Sequence, residues 1–284
     1  MTKAGIFVWN VRNDYTNGRI PIDDSQGAMS VCLFKVNDGL EFQTYSPEDS
    51  ARWANEVYRP QGIDWMPWGV ARGWDNAVAR EEGRLAGRHA AASGSEYLLD
   101  LEPDKRDYWQ CLPGTAHEFC AGYEETSNGL KLRLVPDARP TAGNLLLQEW
   151  AREPVVGIWH PQIYSRAFSE SLDYWLLNGA FPIASVGVPL SRIYPVLAVW
   201  EQVEGEPSVS PDQLEADIQS LAAKGYGGFA LWRRGLMSSQ QVERLLAMPD
   251  PFAPVIPTPD PPVDHKKRAL ALLEQATLEV EAIP

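Results

Sequence analysis

Cysteine and histidine are scarce in this chain of 284 residues: Cys32, Cys111 and Cys120, and His89, His117, His160 and His265. An odd number of thiols builds no closed disulfide framework, and Cys111 and Cys120 lack the spacing of zinc ligands, so no metal site is expected. Basic residues are outnumbered, 25 against 38 acidic, for a formal net charge of −13. That argues against the basic surface that nucleic acid or an anionic membrane requires. No run approaches the ~18–20 apolar residues of a membrane span. Met1-Thr2-Lys3-Ala4-Gly5 enters a strand-like run without the regions of a signal peptide. Cytoplasmic synthesis is expected, with carriage on a virion or release by a non-classical route. Neither GxGxxG nor GxxxxGK[ST] follows the first strand, which weakens the nucleotide-binding alternatives; no cofactor is expected.

What is present is alternation. Strand-like runs fall at residues 5–9, 29–35, 66–71, 97–102, 130–135, 155–160, 196–201 and 228–232, with helical stretches between them. Ser46-Pro47-Glu48-Asp49 is a strong helix start, with a cap residue, an early proline and acids in the first turn. The first crossover, 10–28, carries turn residues and reads as a loop or short helix. Eight strands separated by helices predict a closed (β/α)8, TIM-like barrel over residues 1–248. A proline-rich, extended linker follows at 249–263. A short amphipathic helix at 264–284 then carries Leu270, Leu273, Thr277 and Val280 at 3-4-3 spacing. Alone it is marginal in water, so it packs on the barrel, on another copy (self-association) or on a partner protein.

In such a barrel the strand C-termini ring the site. The candidates there are Trp9 and Asn10, Lys35 and Asp38, Arg72, Asp100 and Glu102, Asp137, His160 and Gln162, Glu201, and Trp232 with Arg233. Asp100 and Glu102 stand out. One residue apart on a strand, they face the same way, about 6–7 Å apart along the chain. Two acids so close cannot both ionise freely, and one pKa rises. Glu102 is thereby suited to protonate a glycosidic oxygen, with Asp100 orienting water or steadying positive charge on the sugar ring. The bland alternative has Asp100 capping a turn or pairing with Lys35 or Arg72.

Glu201, closing Leu197-Ala198-Val199-Trp200-Glu201, would give a second carboxylate across the mouth for a double displacement; otherwise it is a loop acid. Trp9, Trp159, Trp200 and Trp232 recur at strand ends, where indoles stack on sugar C–H faces or else pack outward under helices. His160 and Gln162 offer polar groups to hydroxyls, and Trp9, Asn10, Lys35, Asp38, Arg72, Trp232 and Arg233 are the other expected substrate contacts. Lys35 near Arg72 would also suit a Schiff-base amine in an unrelated barrel enzyme.

These residues resemble the family 25 glycoside hydrolases, the lysozyme-type muramidases. Gly5-Ile6-Phe7-Val8 looks like that family's opening strand, and Lys35-Val36-Asn37-Asp38-Gly39 is similar to its second-strand ending. Gly69-Val70-Ala71 falls at its third strand, Asp100-Leu101-Glu102 matches its Asp-x-Glu motif, and Leu231-Trp232 is similar to its closing strand. The resemblance implies Glu102 as proton donor, Asp100 as neighbouring carboxylate, and a peptidoglycan-like, β-linked amino-sugar substrate. The chain departs from the family at Phe7, at Ala71 and Arg72, and at Arg233 and Arg234. Chitinase-type barrels carry a further Asp two residues before Asp-x-Glu, where this chain has Leu98.

The reading is a glycoside-hydrolase-like barrel acting on a cell-wall or related polysaccharide, with Glu102 as acid. The alternative is a catalytically inactive barrel serving as a binding or structural module in a phage particle or surface assembly.

Overall fold

The computed structural model describes residues 4–8, 29–40, 42–103, 109–139, 145–203, 206–232 and 236–253. Trp9, Asn10, Arg233, the 10–28 crossover and the 264–284 helix fall outside those residues, as does most of the 249–263 linker. The chain divides after Phe252, and the second unit is Ala253–Pro284.

Eight parallel strands form the larger unit: β1 Ala4–Val8, β2 Met29–Asp38, β3 Asp64–Val70, β4 Tyr97–Leu101, β5 Leu132–Pro136, β6, β7 Val196–Ala198 and β8 Ala230–Trp232. β6 comes in two segments, Val156–Trp159 and Gln162–Ile163, split by His160 and Pro161. Proline has no N–H to give a ladder, yet the pairing continues past it. The Tyr194 N–H reaches the Trp159 carbonyl at 2.7 Å and the Val196 N–H reaches that of Pro161 at 2.8 Å. β6 thus pairs with β5 on one side and β7 on the other. With β8 pairing both β7 and β1, the sheet closes into the expected (β/α)8 barrel.

β7 stops at Ala198. Trp200–Val203 belongs instead to an antiparallel hairpin with Glu206–Ser208. The apolar run through Trp200 reads as one strand in sequence, but the chain leaves the barrel at Val199.

Among the described α-helices, side-chain caps come from Ser46, Asp75, Ser171, Ser210 and Ser238. α1 (Pro47–Arg52) starts on Ser46, whose side chain accepts the Asp49 N–H while the Asp49 carboxylate accepts the Ser46 N–H. α2 (Asn76–Ser93) starts on Asp75. α3 (Thr115–Thr126), α4 (Leu147–Arg152), α5 (Leu172–Trp175), α6 (Phe181–Ser185), α7 (Pro211–Ala223) and α8 (Ser239–Ala247) follow. No helix among the described residues is long and apolar enough to cross a membrane.

Strand alternation sorts the apolar residues into two layers. Leu33, Met66, Trp68, Val70, Leu98, Val135, Val196 and Ala230 pack together inside the barrel. Cys32, Phe34, Trp65, Tyr97, Leu99, Leu101 and Trp159 pack outward against the helices.

α2 and α3 meet backbone to backbone through glycine. A Cβ on Gly83 would lie 2.0 Å from the Phe119 carbonyl oxygen, and one on Gly122 would lie 2.1 Å from that of Arg80. Those oxygens belong to helix backbone and cannot swing away. Gly122→Ala therefore destabilises the fold by about 1–3 kcal/mol of overpacking, reduced by about 1 kcal/mol of gained helix propensity. Urea unfolding measures it, and a more stable variant would refute the close helix contact.

Candidate active site

β4 sets the arrangement. Its Tyr97, Leu99 and Leu101 face outward, so Leu98 and Asp100 face the barrel interior. Extended pairing continues just beyond the strand: Trp109 donates its N–H to the Glu102 carbonyl at 3.0 Å and bridges Pro103. Glu102 is thereby kept on the inner face, with 23% of its side chain exposed at the mouth. Gln162, at the end of β6, joins the two acids. Its Nε2 donates to Asp100 Oδ1 at 2.9 Å and to Glu102 Oε1 at 3.2 Å.

Both carboxyl groups titrate above the ordinary carboxylate range. For Asp100, burial is the largest cause and the Glu102 charge adds to it, against smaller opposition from Lys35 and the Gln162 N–H. For Glu102, burial again leads; Asp137 adds to it, while Gln162, Arg139 and Lys35 pull the other way. The pair holds a proton at a pH where isolated carboxylates have lost theirs.

The Arg139 guanidinium makes only a long ion pair with Glu102. Arg139 Nη2 stands 4.0 Å from Glu102 Oε2. The same guanidinium donates through Nε (2.8 Å) and Nη2 to Asp137, whose carboxylate also accepts the Arg139 backbone N–H at 2.9 Å. Asp137 is almost wholly buried just past β5.

A second charged group flanks the pair. In a regular strand Lys35 and Asp38 would face opposite sides, but β2 bulges between Lys35 and Asn37. Val36 and Asn37 turn outward, Asn37 accepting the Tyr97 hydroxyl, and Lys35 meets Asp38 at 2.9 Å. Arg72 donates to the other Asp38 oxygen. Lys35 also lies over the Trp68 ring, 5.2 Å from its centroid. Trp68 meets Trp232 edge to face at 5.6 Å, and its indole N–H donates to the Leu33 carbonyl at 3.1 Å. Trp68 is thus buried in the barrel interior, with the half-buried Trp232 against it.

The structure gathers Lys35, Asp38, Arg72, Asp100, Glu102, Gln162 and Trp232 at one end of the barrel. Asp100 pairs with neither Lys35 nor Arg72; both cations serve Asp38. Lys35 is engaged as a donor in that ion pair.

His160 is a correction. β6 runs on through Pro161 to Ile163, so Gln162 reaches the mouth while His160 faces the opposite end, beside Val31, Arg133 and Phe229. It is buried, its Nδ1 lies 3.1 Å from the Tyr194 carbonyl, and burial together with Arg133 pushes its pKa down to about 3. It binds no hydroxyl at this site. Glu201 is a second correction: it sits in the hairpin beyond β7, not at a barrel-strand end. Trp159 packs outward under the helices. So does Trp200, against Tyr164 at 5.8 Å.

The sequence reading missed Trp68 and Arg139 and gave Asp137 no role. The alternation Met66, Trp68, Val70 carries the signal for the first. For the second it is a strand-end Asp-x-Arg, Asp137-Ala138-Arg139. Among the described residues no group of three or more His, Cys, Asp or Glu could hold a metal ion.

No protein-family model matches the chain. No curated protein matches it either. Solved structures do. A chitinase-like agglutinin from Robinia pseudoacacia superposes with a TM-score of 0.58 at 10% identity, over 87% of this chain and 99% of that one. A class V chitinase from Nicotiana tobaccum gives 0.59 at 9% identity, over 89% and 99%. The catalytic domain of a family GH18 chitinase from the fern Peteris ryukyuensis gives 0.56 at 10%, over 86% and 98%. At such identities the likeness shows the barrel fold alone, and these three neighbours are chitinases or chitinase-like.

The raised Asp100 pKa has a consequence for stability. The folded chain retains a proton there that the unfolded chain releases at ~pH 4. The stability linked to that proton is full below this range and is lost as pH rises through the raised folded value. Asp100→Asn removes the charge and keeps an oxygen for Gln162. Melting temperature should therefore fall less with rising pH in the variant than in wild type. Parallel curves would mean that Asp100 ionises in the barrel without penalty.

Proposed function

We propose that this barrel hydrolyses a glycan of β-linked N-acetylated amino sugars, with Glu102 as proton donor. The observation that carries the reading is the Asp100–Glu102 pair, joined by one amide and kept protonatable, with Glu102 partly exposed. An amino-sugar backbone is common to chitin and to peptidoglycan. It therefore accommodates both the chitinase-like fold and the muramidase-like motifs. A tobacco class V chitinase has been solved with NAG4 bound, which supports a glycan in a mouth of this kind.

In the proposed reaction the Glu102 proton passes to the glycosidic oxygen as the bond from C1 to that oxygen breaks. With Glu201 in a hairpin beyond the barrel strands, the substrate's own 2-acetamido oxygen is the better nucleophile at C1. Such substrate assistance is known among glycosidases. Asp100, one residue back on the same face, holds the acetamido N–H and balances the charge that develops. Water then adds to C1 and returns a proton to Glu102. Trp232, half-buried, offers a ring to the sugar, while Lys35, Asp38, Arg72 and Gln162 supply polar partners to its hydroxyls.

A second reading is binding without turnover. It is favoured by Leu98, an apolar residue where chitinase-type barrels carry another acid, and by the agglutinin that shares the fold. Dye release from labelled chitin and from cell walls separates the two. Turnover should fall roughly 10²–10⁴-fold in Glu102→Gln, with the alkaline limb of wild type above the ordinary glutamate range. A wild type inert on both substrates that still binds oligosaccharide would replace the enzyme with the binding module.

A further inference from the structure

β6 resumes beyond Pro161 and so leaves His160 at the barrel end opposite the acids, where a pocket of about 220 Å³ opens. Arg133, on β5, lines it together with His160, Tyr194, Phe229, Asp250 and Phe252. Its volume falls below the roughly 300–1,000 Å³ of drug-sized sites. It admits one small ring and not a chain of them.

The walls are fixed by the fold. Tyr194 gives its N–H to the Trp159 carbonyl at 2.7 Å, and its own carbonyl lies 3.1 Å from His160 Nδ1. The Tyr194 ring rests on the backbone of Gly227 and Gly228. A Cβ on the first would stand 2.3 Å from a ring carbon and one on the second 2.6 Å, so no larger residue leaves the ring in place. The same ring meets His160 edge to face at 5.7 Å. Phe229 and Phe252 stack with centroids 5.8 Å apart and 27° between their planes.

The polar groups suit hydroxyls. A carbonyl can only accept, so His160 Nδ1 carries the imidazole proton. Burial together with Arg133 keeps the ring neutral, its pKa pushed down to about 3. Nε2 is therefore a bare acceptor. It is buried, and no donor among the described residues meets it; an acceptor so placed is costly until a donor arrives. Arg133 gives its Nε–H to Glu96 at 2.5 Å, and a guanidinium has further N–H groups to offer. Asp250 accepts the Phe252 N–H at 3.0 Å, and a carboxylate has capacity for more than one donor.

The two charges on the wall oppose each other, and each already has a partner in the protein, so a free anion or cation gains little. A hydroxyl both donates and accepts. It can give its proton to Nε2 or Asp250 and take one from Arg133, while C–H groups lie against the aromatic rings.

We propose that this pocket is a second ligand site, at the barrel end opposite Asp100 and Glu102, and that it takes a single neutral sugar ring. It stands whether or not Glu102 is an acid catalyst.

The test is a titration of the full-length chain followed by nuclear magnetic resonance of the His160 imidazole nitrogens. The probes are glucose, galactose, mannose and N-acetylglucosamine, with alanine as a zwitterion of similar polarity. At least one sugar should move the Nε2 signal, with a Kd on the order of 1 mM. Phe252→Ala and Asp250→Ala should each weaken that sugar by about tenfold. Asp250 is exposed, so its substitution separates loss of the site from loss of the fold. An Nε2 signal that no sugar moves overturns the proposal. So does a sugar whose affinity is unchanged in either variant, since it is then held elsewhere. Alanine binding more tightly than every sugar overturns the assignment in favour of an amino-acid site.

Discussion

Two carboxyl groups on the inner face of one strand, bound by a single amide nitrogen, are the constraint around which the mouth is built. Burying either as an ion is costly, and burying both is worse. The fold relieves this in part by protonation and in part by distributing counter-charge. Lys35 and Arg139 each lower the cost without forming a direct ion pair with Asp100 or a bidentate pair with Glu102. A full arginine pair on Glu102 would hold it ionised and useless as an acid. Asp137 and Asp38 prevent that, because each claims the cation that would otherwise reach the pair.

The positioning of those cations depends on irregularities. The bulge in β2 turns Lys35 and Asp38 to one side, and without it one of them would point into the helix layer. Arg72 is fixed from the other direction. Glu82, buried in α2, accepts the backbone N–H groups of Arg72 at 2.8 Å and Gly73 at 2.9 Å. Its own pKa is raised, chiefly by burial. A helix carboxylate thus anchors the loop that delivers an arginine to Asp38, which in turn holds Lys35 over Trp68.

The barrel was legible in sequence because strand alternation and serine caps are local signals. Asp100 and Glu102 were legible for the same reason, since spacing on one strand determines which face they share. The misplaced residues fail on non-local grounds. Pro161 looks like the end of a strand, yet β6 resumes after it because β7 supplies donors on both sides of the gap. That displaces His160 and brings Gln162 to the acids. The run from Val196 to Glu201 has the composition of one strand, and only its pairing reveals that Trp200 joins a hairpin with Ser208. The bulge at Val36 leaves no mark in composition, and Arg139 reaches the site through a loop whose course no periodicity describes.

The proton affinity of Glu102 is set in part by a segment outside its own strand. Asp137 raises it and Arg139 lowers it, and both lie on the three-residue segment Asp137-Ala138-Arg139. Asp137 grips Arg139 through both backbone and side chain, which holds the guanidinium 4.0 Å from Glu102 Oε2. Ala138, between them, lies against Gly179, where an added Cβ would fall 2.3 Å from its own. A larger residue at 179 has no room there, so the position of the one cation near the acid depends on a glycine far from it in sequence.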